Sequence, residues 1–128
     1  MGELVVPVSV GELIDKITIL RIKERKISDP TKLINVRAEL EALVDVCRKH
    51  DISLSQTGVA ELEKVNQQLW DIEDAIREKE ATKKFDPEFI ELARSVYLIN
   101  DERAAIKSRI NKASGSTLRE EKSYSNYR

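Results

Sequence analysis

Apolar positions recur along this chain at helical rather than strand spacing, in four blocks separated by short polar punctuation. The first block carries Val10, Leu13, Ile14, Ile17 and Leu20 on one face at ~100° per residue. Ser9 and Glu12 stand at the S-x-x-E spacing of a capping box, which predicts a helix starting at Ser9 and stopping near Ser28. Asp29-Pro30 and Asp86-Pro87 are a matched pair of start signals, because Asp caps free N–H groups and Pro fits the first helical position. A second helix is expected from about Pro30 to Lys49, with Leu33, Val36, Leu40, Leu43, Val44 and Cys47 as its stripe. A third is expected from about Thr57 to Lys84, where Leu62, Val65, Leu69, Ile72 and Ile76 alternate in three- and four-residue steps, the rhythm of coiled-coil packing. The fourth runs from Pro87 to about Ala113, with Gly115 as its exit.

The short connections between helices one and two, and between three and four, require antiparallel hairpins. The expected fold is all-α, a four-helix bundle or two packed antiparallel hairpins. Residues 1–8 form a short extended arm, 9–113 the helical core and 114–128 a polar tail, in a single domain. Helix one has an unusual feature: Ile19 and Ile22 fall roughly opposite Ile17, so its middle is apolar nearly all round. Such a helix is either central in the fold or covered by a second subunit.

The fourth block turns polar midway, in "SVYLINDERAAIKSRINKASGS". On a helical wheel centred on Val96, Asn100, Arg103, Lys107 and Asn111 lie within roughly 60° of the apolar stripe, whereas Asp101, Glu102, Ser108 and Arg109 lie outside it. Antiparallel pairing sets Arg103 beside Asn66, Gln67 and Trp70, and Asn100 beside Trp70 and Glu73. In helix one, Arg21 and Glu24 share the Ile17 face. Desolvating an unpaired charge costs several kcal/mol, so inward cations need partners. Arg21, Asn66, Glu73, Asn100, Arg103 and Lys107 are therefore either an internal network, with Arg103 paired to Glu73 and Asn66, or a pocket for a carboxylate or phosphate. A polar interface to a partner is the third possibility.

Composition narrows the chemistry. The chain has 128 residues, 35% of them charged, yet a formal net charge of −1, so no basic field points to nucleic acid. The sole cysteine, Cys47, excludes an internal disulfide and suits a reducing, cytoplasmic setting. The start "MGELVVPVSVGELID" lacks the basic and apolar regions of a secretory signal, and no segment reaches the ~20 apolar residues of a membrane span. The one histidine, His50, has no Glu three positions before it, which excludes the carboxylate-bridged dimetal pattern of helical bundles. Cys47 and His50 are one turn apart without a second ligand pair, and the four glycines form no phosphate loop. No catalytic residue, metal or cofactor is expected.

At "VPVSVGELIDKITIL", "NDERAAIKSRIN" and "GSTLREEKSY" the chain resembles a family of small bacterial and phage proteins grouped as a domain of unknown function, over nearly its whole length. That resemblance implies a genomic setting near cell-surface polysaccharide and glycosyltransferase genes, and implies no activity. A looser similarity links "ELIDKITILRIKERK" and "FDPEFIELARSVYLINDERAAI" to the all-helical chorismate mutases, whose inward Arg and Lys bind a dicarboxylate. The order and spacing of Arg21, Arg103 and Lys107 do not match theirs. The expected function is a non-enzymatic accessory factor that forms a homo-oligomer or binds a protein partner. Binding of a small anion, in a sensor or an enzyme, is the alternative.

Overall fold

The computed structural model describes residues 2–118 and 120–127 and contains four helices: α1 (Val10–Lys26), α2 (Pro30–Lys49), α3 (Thr57–Ala81) and α4 (Pro87–Ser114). The starts of α1, α2 and α4 are set by local side-chain chemistry, whereas Gln56 before α3 makes no side-chain cap bond. Ser9 Oγ accepts from the Glu12 N–H at 3.1 Å, Asp29 Oδ1 accepts from the Thr31 and Lys32 N–H groups, and Asp86 Oδ1 accepts from that of Phe89 at 2.9 Å. Each bond satisfies a donor that the first helical turn leaves open.

Two ends differ from the sequence expectation. Helix one stops at Lys26 rather than near Ser28, because Ile27 is already extended. Helix three stops at Ala81 rather than Lys84. Lys83 adopts a left-handed φ of 56°, and the Lys84 N–H reaches back to the Lys79 carbonyl at 2.9 Å. That reversal lets Lys79 clamp the turn, donating to Asp86 at 2.8 Å and Glu88 at 3.2 Å.

Helix α1 is the centre of the fold and packs against all three others, whereas among the described residues α2 packs on α1 alone. Adjacent residues of α1 serve two cores. Ile14 joins Val59, Leu62, Val65, Ile106 and Ile110, while Leu13 and Ile17 join Cys47 of α2. Ile52 and Leu54, in the loop before α3, pack against both clusters and tie them together. Ile22 is buried and Ile19 half-buried, so the two-sided apolar character of α1 is accounted for within one chain.

The arrangement is an all-α bundle in which α1 lies against the antiparallel α3–α4 hairpin and α2 lies outside α1. Helix α1 runs parallel to α3, as the side-chain ladder Arg21–Glu63, Arg25–Gln67 and Lys26–Asp71 shows. It ends beside Asp71. At 1.5 Å per residue α1 spans ~26 Å and α4 ~42 Å, so the hairpin continues well past the end of α1. From Gln67 to Ala105, a stretch that includes that outboard section, none of the described residues is buried.

Candidate functional site

The polar half of α4 does face inward, but it meets α1 rather than the residues expected from α3. Arg103 Nε donates to Asp15 Oδ1 at 2.9 Å, and its Nη2 donates to Oδ2, a two-pronged pairing with a carboxylate only 1% exposed. The Asn66 amide, from α3, donates to the same Asp15 Oδ1 and to Thr18 Oγ1, both at 2.9 Å. Thr18 in turn donates to the Asp15 carbonyl at 2.8 Å. Three helices thus converge on one buried carboxylate.

One turn further along α4, Lys107 Nζ donates to Glu12 at 2.7 Å and to Glu120 of the tail at 3.0 Å, with Asp15 Oδ2 at 3.8 Å. Burial alone would lower the Lys107 pKa, yet these carboxylates hold it above the ordinary lysine value. Arg103 is likewise held above its ordinary value, first by its bond to Asp15. Glu120 bridges Lys122, at 2.7 Å, and Lys107, and these two cations push its pKa down to about 2. Another turn on, Asn111 Oδ1 accepts from the Gly11 N–H at 2.7 Å. The approach here is close enough that a Cβ on Gly11 would stand 2.7 Å from the Lys107 carbonyl oxygen.

Of the six residues singled out from the sequence, four belong to this cluster: Asn66, Asn100, Arg103 and Lys107. Asn100 contributes a long contact, accepting from Arg103 Nη1 at 3.5 Å. The other two lie elsewhere. Glu73 pairs with Arg77 at 3.4 Å on the surface of α3, so the expected Arg103–Glu73 pairing is replaced by Arg103–Asp15. Arg21 faces Glu63 at 3.7 Å on the α1–α3 seam. Glu73 is outside because α1 ends earlier, beside Asp71.

Glu12, Asp15, Thr18 and Glu120 were not anticipated as partners. Ile22 carried the signal for two of them. Thr18 and Asp15 lie four and seven residues before it, hence on the second inward face of α1 that Ile22 had already marked.

Among the described residues no buried side-chain nitrogen or oxygen lacks a partner. Two polar clefts nevertheless flank the cluster. One of about 190 Å³ is lined by Glu12, Asn100, Arg103, Lys107, Glu120 and Lys122, with Ala104. A second of about 280 Å³ lies between the tail and α4 beside Ser108, Asn111 and Lys112. Cys47 and His50 are separated in character as well as position. Cys47 is buried between α1 and α2, with its thiol pKa raised by that burial, and His50 is exposed at the end of α2. No helix is long and apolar enough to cross a membrane among the described residues.

No curated protein and no solved structure matches the chain. The sequence model of a family of unknown function, DUF6165, matches residues 4–127, and the chain belongs to that family.

Proposed function

We propose that the chain is a non-enzymatic helical binding factor that associates with a second copy of itself or with a protein partner through the outboard half of the α3–α4 hairpin. One observation carries this reading. The stripe that starts at Leu69, near the end of α1, and continues through Ile72, Ile76, Phe89, Leu92 and Val96 keeps its core-like spacing past that end, yet each of these residues is only half-buried. Two helices meeting without a third cannot dry both sides of such a stripe, and a coiled-coil seam of this rhythm completes itself against further helices. Ile90 and Phe85 extend the uncovered apolar surface around α4 and the turn.

Sedimentation equilibrium over a hundredfold range of concentration tests self-association. The expected result is a weight-average mass rising above the 14.6 kDa of one chain, with the rise suppressed by Ile90→Glu. Ile90 is exposed, so this substitution should leave the helix content unchanged. A mass fixed at one chain across the range would refute the self-association arm.

The competing reading is an anion-binding sensor or enzyme centred on Arg103 and Lys107, and the 190 Å³ cleft beside them favours it. Against it, each inward cation already has a protein carboxylate within bonding distance. A thermal-stability screen with phosphate, dicarboxylates and nucleotide sugars separates the two. A ligand at ~100 times its dissociation constant adds about 2.7 kcal/mol of stability, whereas a purely internal network gives no shift.

A further inference from the structure

Beyond Gly115 the chain reverses and lays its tail back along α4. Gly115 makes the reversal possible with a left-handed φ of 69°, its N–H still bonded to the last turn of the helix. Glu120 and Tyr127 both anchor the tail. Glu120 accepts from Lys107 at 3.0 Å. Further along, Tyr127 sets its ring edge-on to Tyr97, with centroids 4.8 Å apart, and donates its hydroxyl to Asp101. Tyr97, Asp101, Ala104 and Lys107 follow one another at three- and four-residue steps, so both anchors grip a single face of α4.

We propose that this face of α4 is a docking groove for an extended peptide carrying an acid and a tyrosine. Within one chain its occupant is the chain's own tail, and in an exchanged dimer its occupant is the tail of a second copy.

Three features support an exchangeable tail rather than a fixed part of the fold. First, its departure strands no charge, because Lys107 keeps Glu12 at 2.7 Å and Asp15 at 3.8 Å. Second, none of the described tail residues is buried, and Tyr124 is 75% exposed, so release uncovers little apolar surface. Third, the seating within one chain is incomplete. The 280 Å³ cleft lies between the tail and Ser108, Asn111 and Lys112, close to the reversal at Gly115. A tail arriving from another copy does not have to turn there and can lie in that cleft. The anchors are the same in either geometry, so concentration decides between them. The choice of a second copy as the partner rests on the self-association proposed above; the groove itself does not.

The test uses the full chain with its tail disabled by Glu120→Gln and Tyr127→Ala, probed by fluorescence anisotropy with a labelled peptide of residues 116–128. The expected result is saturable binding at least tenfold tighter than to the unaltered chain, whose own tail competes. That binding should weaken at least fivefold with Tyr97→Ala in the receiver or with Glu120→Gln in the peptide. No saturable binding, or equal binding to both receivers, would overturn the groove whatever the oligomeric state. Exchange is read by mixing the tail-disabled chain with a Tyr97→Ala chain that keeps its tail. The mixture should show a larger weight-average mass than either chain alone at the same total concentration. Peptide binding without that increase would refute the exchange and leave the groove in place.

Discussion

Arg103→Met is the most informative single perturbation, because it separates a structural pair from an unfilled site. Asp15 is 1% exposed, and its Oδ1 and Oδ2 take two bonds from Arg103. Removing the guanidinium leaves that carboxylate with the Asn66 amide at 2.9 Å and the Lys107 ammonium at 3.8 Å. Neither replaces a two-pronged charged pairing. Breaking one side of a buried pair costs about 3–5 kcal/mol, a large share of the ~5–15 kcal/mol that holds a domain of this kind folded. The Arg103 side chain is 29% exposed, so the reverse change behaves differently. In Asp15→Asn the guanidinium turns towards water, and the loss falls to ~1–3 kcal/mol.

Urea unfolding followed by far-ultraviolet circular dichroism, with Trp70 fluorescence as a second probe, measures both variants and their combination. The double variant should lose clearly less than the two single losses added together, by ~2 kcal/mol, since neither charge is then orphaned. In thermal melts Arg103→Met should lower Tm by roughly 10 °C or more, at about 4 °C per kcal/mol for a chain of this size. An Arg103→Met protein within about 0.5 kcal/mol of the parent, or more stable, would refute the pairing and point to an anion seat awaiting its ligand. Strict additivity would equally deny that the two residues meet.

Further outcomes follow from the same cluster. Gly11→Ala should destabilise by ~1–3 kcal/mol in urea despite alanine's better helix propensity, because its Cβ would press on the Lys107 carbonyl oxygen, which is backbone and cannot swing away. Thr18→Val removes an acceptor for Asn66 at a site with no solvent access and should cost ~1–2 kcal/mol in the same assay. Glu120 supplies a pH test. Its pKa is pushed down from 4.5 to about 2 by Lys122 and Lys107, so the tail anchor is fully present above pH 4.5 and is lost as the pH falls towards 2. Carboxyl NMR titration should place its midpoint well below 4.5, and a midpoint at or above 4.5 would remove Glu120 from Lys107 and Lys122.

The helices were legible because their starts are local. At α1, α2 and α4, Ser9, Asp29-Pro30 and Asp86-Pro87 act on backbone groups within one turn, and no distant contact is needed to read them. The end of α3 was not, since nothing about lysine as a residue type announces the left-handed turn at Lys83. The inward cations of α4 were also legible, from periodicity alone. Their partners were not. Arg103 and Asp15 are 88 positions apart, and a wheel describes one helix without saying which neighbour each face will meet. Centring α1 on Ile17 chose the face that packs on α2 and hid the one that carries Asp15 and Thr18. The same centring drew in Arg21, and the pairing of α3 with α4 drew in Glu73, two residues that tertiary packing leaves outside the cluster.

Among the described residues α1 is the one helix that α2 packs against, and this has a consequence for how the molecule opens. A helix held along one side can detach while α1, α3 and α4 remain packed, so α2 should form the least protected cooperative unit of the fold. Cys47, on the face of α2 buried against α1 and the sole thiol in the chain, becomes reactive only when that happens. The rate of its alkylation is then a direct clock for α2 lifting away. It should run faster than global unfolding by the whole stability of the three helices left behind.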